Sequence, residues 1–163
     1  MNTVEMRRVK DDDIPVLEKI RMAAFAPIFA SFRKILGDSL YDIVQAHEDN
    51  AQSEFLVFLS ASELPWELYV AEIAGETVGF VALKLDRERL VGEIGLNAVH
   101  PDQAGRGIAT AMYRFALSRM KAAGMSAATV STGADENHAP ARRAYQKVGF
   151  EKRIPIVWMC REL

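Results

Sequence analysis

The sequence predicts an α+β protein, a mixed β-sheet with helices packed on its faces. The first observation is a change of period: apolar residues recur at helical spacing up to about residue 48 and alternate from about residue 67. The second is a hairpin signature, two β-runs joined by Ala74-Gly75-Glu76. The third is the element order, which reads β-α-α-β-β-β-α-β-α-β.

Each element has its local reason. VEMRRV (4–9) is a short strand candidate. Residues 11–32 read as a helix, because acidic residues crowd the start, Pro15 falls in the first turns, and Ile14, Leu17, Ile20, Ala24 and Phe25 follow the helical period. Pro27 is expected to kink or end it. A second helix is expected over 39–48, with Ser39 as a cap. Strands follow in the hairpin of 67–86 and at 91–99. The next helix opens at Ile108, buries Ile108, Met112, Phe115 and Ala116 on one face, and stops at Gly124. A strand at 126–132, a helix at 139–149 with Pro140 in its first turn, and one or two strands in FEKRIPIVWMCREL complete the chain.

Bulk properties exclude several classes. The 163 residues suit a single domain spanning 1–163, with enough chain for a core. A net charge of -2 lacks the basic excess of a nucleic-acid binder. Cys160 is the only cysteine, so no intrachain disulfide forms, and it reads as a half-buried C-terminal strand residue. The three histidines show no metal-ligand spacing, and no metal is expected. The charged start has no apolar signal region and no run is long enough to span a bilayer, so a cytoplasmic protein without membrane association is expected.

The chemistry is expected where a strand meets a helix through HPDQAGRG (100–107). Free N–H groups at a helix start attract anions, and glycine lets a phosphate approach the backbone. Arg106 adds a charge there. The spacing fits neither a Gly-Lys-Ser/Thr phosphate loop nor GxGxxG. Taken alone, the turn is as readily a ligand-free strand-to-helix connection.

Two segments taken together, NAVHPDQAGRGIATAMYRFAL and HAPARRAYQKVGFEK, resemble the core motifs of the GCN5-related N-acetyltransferase (GNAT) superfamily over about residues 66–155. The resemblance implies a mostly antiparallel central sheet, an acetyl-CoA cosubstrate, and acyltransferase activity. It puts the pyrophosphate loop on Ala104, Gly105, Arg106, Gly107, Ile108, Ala109 and Thr110, with Ala104 where the family has Gln or Arg and Gln103 one residue early. The pantetheine arm would pair with Leu96, Asn97, Ala98 and Val99, beside a splay from the strand at 127–132. In the second motif His138 stands at the family's asparagine, Asn137 precedes it, and Ala141 and Tyr145 match. Either Asn137 or His138 would touch the cofactor.

Tyr145 reads either as a core tyrosine or, through the resemblance, as the acid that protonates the departing thiolate. Glu93 reads as a solvated carboxylate or as the base for an amine acceptor. Strand alternation would put Glu93, Gly95, Asn97 and Val99 on one face, and an amide of residue 98 or 99 would hold the oxyanion. With no placed nucleophile, direct transfer through a ternary complex to a primary amine of a small molecule or protein is expected. The rivals are a non-catalytic acyl-CoA-binding module and a nucleotide-binding domain.

Acceptor choice is assigned to residues 20–66 and the C-terminal strands, with Phe25, Phe29 and Phe32 either core or pocket wall. Glu48, Asp49, Glu54, Glu63 and Glu67 lean towards a cationic acceptor. A homodimer is common in the resembled family, and the edge of a C-terminal strand offers a place for it.

Overall fold

A computed structural model describes residues 3–61 and 65–163. Its elements are β1 (Glu5–Arg8), α1 (Ile14–Leu36), α2 (Asp38–Val44), α3 (His47–Ala61), β2 (Trp66–Ile73), β3 (Glu76–Asp86), β4 (Val91–Val99), α4 (Ile108–Ala122), β5 (Ala127–Val130) and α5 (Ala139–Lys147). The sheet order is β1-β2-β3-β4-β5. All pairs are antiparallel except β4 and β5.

Two cores sandwich the sheet. On one face Val81, Leu83 and Ile94 meet Ile108, Met112, Ala116 and Met120 of α4 and Ala144 and Tyr145 of α5. On the other, Val70, Phe80 and Ala82 meet Leu17 and Ile20 of α1 and Leu56 and Leu59 of α3. Burying each such aliphatic side chain stabilises by about 1.5–3 kcal/mol. Arg21 is only 1% exposed within this layer. Its guanidinium is held by Glu18 at 2.7 Å and Asp49 at 2.7 Å.

The hairpin expectation holds: Ala74 and Gly75 both take positive φ, as a two-residue turn matched to strand twist requires. Helix 1 departs from expectation. It runs through Pro27 to Leu36, where Gly37 caps it. Packing of its flank on the sheet outweighs the one lost hydrogen bond. Helix 2 starts at Asp38 with Gly37 in the capping position, so Ser39 lies inside it rather than capping, and the 39–48 helix resolves into α2 and α3.

The C-terminal strands do not form. After α5 the chain makes a last turn at Gly149, and residues 150–163 contain no strand, turn or bend. A β-run needs an edge beside it, and within the chain this segment lies alongside none. Cys160 is half-buried as expected, but it does not lie in a strand.

Helix and sheet layers together fix β4. Between Val81↔Asn97 and Leu83↔Ile94, β3 advances two residues while β4 advances three. That extra residue is a bulge at Gly95–Leu96, and it reverses the alternation beyond it. Asn97 and Val99 therefore face α4 and α5, while Glu93, paired with Lys84, faces the α1 side. The expected common face of Glu93, Gly95, Asn97 and Val99 is corrected accordingly.

Candidate functional site

β4 and β5 pair only from Val91↔Ala127 to Ile94↔Val130. Beyond that point β4 runs on to Val99 without its neighbour, and a cleft of about 820 Å³ opens between the strands. Residues 93–99 of β4 line one wall and Ser131 and Thr132, continuing β5, line the other. Val78 receives the His100 N–H at 2.9 Å. By the two-residue alternation of an antiparallel ladder, the Ala98 amide also points at β3 and the Val99 amide points into the cleft. Of the two oxyanion candidates, the ladder leaves Val99.

The glycine turn forms the floor. Gly105 (φ 77°) and Gly107 (φ 78°) are left-handed, and a Cβ at either would meet nothing within 4 Å. The turn thus leaves open space beside the start of α4. Among the described residues, no amide of residues 105–110 donates to a backbone carbonyl; the first such bond is Ala111 N–H to Gly107 O at 3.0 Å. Six consecutive amides and the positive end of a 15-residue helix make a cradle for a polyanion. Residues 104, 105 and 107–110 line the cleft. Arg106 does not; its guanidinium donates to the Gln103 side-chain oxygen, and Gln103 lines the cleft instead. The Arg106 guanidinium thus turns back along the loop, while its amide stays among the six of the cradle.

On the α5 wall stand Asn137, His138, Ala141 and Tyr145. His138 is engaged. Its Nδ1 lies 2.5 Å from Asp135 Oδ2, and its ring stacks on Phe32. Gly133 makes room for the pair, since a Cβ there would sit 2.4 Å from His138 Nδ1. Burial pushes the Asp135 carboxyl up, but His138 and the Asn137 amide outweigh it and hold its pKa below the ordinary value. The Asn137 side chain has no hydrogen-bond partner among the described residues and is the freer of the two.

Tyr145 is 5% exposed, and its ring stacks on Tyr113 at 4.3 Å. Asn97 Nδ2 donates to the Tyr145 hydroxyl at 3.1 Å and to Gly95 O at 2.8 Å, while the Tyr113 hydroxyl donates to Asn97 Oδ1 at 2.7 Å. The Tyr145 oxygen is thereby an acceptor within the protein, and its own proton is free to point into the cleft. Burial pushes the Tyr145 pKa above the ordinary tyrosine value, against the opposing bond from Asn97. Burial raises Tyr113 well above it.

Glu93 is exposed and lines the cleft from the α1 side, as do Phe25, Pro27 and Ile28 of α1. Phe25 packs against the α1-side core and also lines the cleft; Phe29 packs on Phe25, and Phe32 on His138. The acidic middle of the chain works elsewhere. Glu67 holds Arg119 at 2.6 Å and accepts from Tyr69, Asp49 holds Arg21, and neither Glu48 nor Glu54 lines the cleft. Glu63 lies outside the described residues.

Three participants escaped sequence reasoning. Tyr113 neighbours Met112 and Ala116 on the buried face of α4, and a buried hydroxyl there signals a polar partner. Arg143 and Lys147, four apart on α5, bring two cations to the cleft. Arg142, the residue before Arg143, is instead bound to the carbonyls of Gly133 and Asp135, each at 2.6 Å.

Comparisons with known proteins agree with this geometry. The acetyltransferase (GNAT) family model matches residues 29–150. Mycothiol acetyltransferase of Streptomyces coelicolor is 30% identical over 86 residues, which is 53% of this chain and 27% of that protein. The matched part thus spans about a quarter of the relative's length. The PaiA N-acetyltransferase of Thermoplasma acidophilum, solved with coenzyme A, superposes with a TM-score of 0.70 at 18% identity, over 91% of this chain and 90% of that one. A GNAT-family acetyltransferase of Brucella melitensis, solved with acetyl-CoA, gives 0.64 at 19% identity, over 93% and 85%.

Proposed function

The chain belongs to the acetyltransferase (GNAT) family, and on that premise we propose that it moves an acetyl group from acetyl-CoA to a primary amine by direct transfer in a ternary complex. The observation that carries this reading is the meeting of two features in one cleft: six unpaired amides around Gly105 and Gly107, and the gap where β4 leaves β5. The first suits a pyrophosphate. The second offers a strand edge to an extended amide-bearing arm and leads it to Tyr145.

The residues fit such a cosubstrate. Amides 105–110 donate to the phosphates, and Arg143 and Lys147 supply the positive charge once assigned to Arg106. Asn137 is the free side chain of the second motif. When bound, the cosubstrate supplies an activated acyl group; the chain supplies orientation and proton management. An amine of pKa about 10.4 must lose a proton first, at about 4–5 kcal/mol near neutral pH. Glu93, on the side where Phe25 and Ile28 would receive the acceptor, takes that proton directly or through water. Val99 N–H holds the oxyanion.

Tyr145 works from the opposite side. Burial holds its pKa above the ordinary tyrosine value, so complete proton transfer to a free thiolate is disfavoured. Its role is therefore hydrogen-bond donation while charge builds on sulfur, with the proton following as the bond breaks. Asn97, fixed by Tyr113 and Gly95 O, aims that donor.

The test is a pair of measurements on the same protein. A thermal melt with acetyl-CoA, CoA and ATP should show a shift of several degrees with the first two and none with ATP. A ligand at about 100 times its Kd stabilises by about 2.7 kcal/mol. A panel of primary amines, followed by thiol release, should then show turnover. Binding without turnover on any amine would favour the non-catalytic acyl-CoA-binding module instead.

A further inference from the structure

The α1 side of the cleft differs in chemistry from its other walls. Ala24, Phe25 and Ile28 of α1 and Leu96 of β4 line it with hydrocarbon side chains. Ala24, Phe25 and Leu96 also pack on the α1-side core, which holds this wall in place. Among the described residues, Glu93 is the one acidic residue that lines the cleft. It is exposed, and Lys84, its cross-strand partner, holds its ammonium 5.8 Å from the centre of the Trp66 ring.

Pro27 adds a second acceptor. It stands inside α1 and lines the cleft together with Ala23, four residues earlier. A proline has no N–H to give, and its ring crowds the carbonyl one turn back. Ala23 O thereby loses its helical donor, and it belongs to the same wall as Phe25 and Ile28. A backbone carbonyl without its donor takes a hydrogen bond from whatever enters beside it. The two cations that line the cleft, Arg143 and Lys147, lie on the α5 wall.

We propose that the acceptor is a small primary amine on an apolar body, with a single positive charge. Glu93 and the Ala23 carbonyl receive the amino group, and Phe25, Ile28 and Leu96 receive the hydrocarbon. The inference rests on the acetyl-transfer reading above and names its substrate class. A polyamine or an aminoglycoside brings further ammonium groups. Each would meet hydrocarbon on the α1 side or Arg143 and Lys147 on the α5 side, and an ammonium without a partner is costly to desolvate. Glu18 and Asp49 of the helical layer offer no substitute, since both hold Arg21. The transfer balances in the ordinary way: the N–C bond forms as the C–S bond breaks. Of the two protons that the ammonium loses, one leaves through Glu93 to solvent and one ends on the thiol.

The test compares two amines of equal length. Cadaverine carries an ammonium group where n-hexylamine carries its terminal methyl. With saturating acetyl-CoA, n-hexylamine should have the higher kcat/KM by at least about tenfold. From n-butylamine to n-hexylamine the value should rise about two- to fourfold per methylene. Calorimetry of the same amines into the CoA-loaded protein should give the same ranking without turnover. Ile28→Glu should raise cadaverine relative to n-hexylamine, a ratio that a general loss of folding does not move. Pro27→Ala returns an N–H to Ala23 O, so the KM for n-hexylamine should rise while the KM for acetyl-CoA stays and the melting temperature does not fall. Equal or better use of cadaverine, or of an aminoglycoside, would overturn the inference and leave acetyl transfer standing. An unchanged amine KM in Pro27→Ala would overturn the part given to the Ala23 carbonyl. Binding of acetyl-CoA with no amine bound or turned over would overturn both readings.

Discussion

At the scale of single residues, the site rests on a chain of hydrogen bonds rather than one group. Tyr113 donates to Asn97, Asn97 donates to Tyr145, and Tyr145 keeps its proton for the cleft. Tyr145→Phe should lower kcat by about 10–10³-fold and leave the KM for acetyl-CoA within about threefold, because the hydroxyl acts on the leaving group. Asn97→Ala should lower kcat less, and the double variant should be no slower than Tyr145→Phe, the mark of two residues acting through one bond. Additive losses in steady-state kinetics would separate them. Glu93→Gln should cost about 10²-fold or more in kcat/KM for the amine with acetyl-CoA binding unchanged. A loss under threefold would assign the proton to water. The sequence made Tyr145 and Glu93 candidates, but Tyr113 became visible only once α4 had a definite buried face.

At the scale of elements, the decisive feature is the β4 bulge. Periodicity identified the strand to its ends, Val91–Val99, yet placed Glu93 and Asn97 together. One inserted residue moves them to opposite faces, and the proposed division between a base and a thiol-directed donor rests on that separation. Nothing in GEIGLNAV marks the insertion except Gly95, and Gly95 has its own packing reason: a Cβ there would lie 2.5 Å from the Trp66 ring. The glycine turn was legible because its residues need positive φ wherever they pack. Gly107→Ala tests what the turn is for. The added methyl meets no protein atom, so the protein-side cost is the left-handed backbone, about 1–2 kcal/mol. On the ligand side it intrudes on the phosphates, so KM for acetyl-CoA should rise about tenfold or more with kcat retained. A KM that stays constant while only the melting temperature falls would reduce Gly107 to a turn former.

At the scale of the whole molecule, the sequence showed the sheet and its helices but not where the chain ends. Strand propensity in 150–163 is real; what periodicity cannot supply is the edge such a strand needs, because that edge belongs to tertiary or quaternary structure. A second property of the whole fold, its response to pH, follows from charges that tie distant elements. Arg7 on β1 holds Asp13 at the entry to α1 at 2.7 Å and Glu72 on β2 at 2.6 Å, and Asp13 also accepts the Lys10 N–H at 2.7 Å. The Arg7 guanidinium, chiefly through its hydrogen bond, holds the Asp13 carboxyl below the ordinary carboxylate range; Arg21 does the same to Glu18. A depressed folded-state pKa contributes stability that is present above the unfolded value and lost as pH falls through the folded one. Buried Tyr69, Tyr113 and Tyr145 shift the other way, so their contribution is full below about pH 10 and fades above it. Stability should therefore form a plateau between these limits. Asp13→Asn should cost about 1.5–3 kcal/mol in urea unfolding at pH 7, the worth of a hydrogen bond to a charged group, and distinctly less at pH 3. Equal losses at both pH values would show that Asp13 acts through its turn geometry and not through its charge.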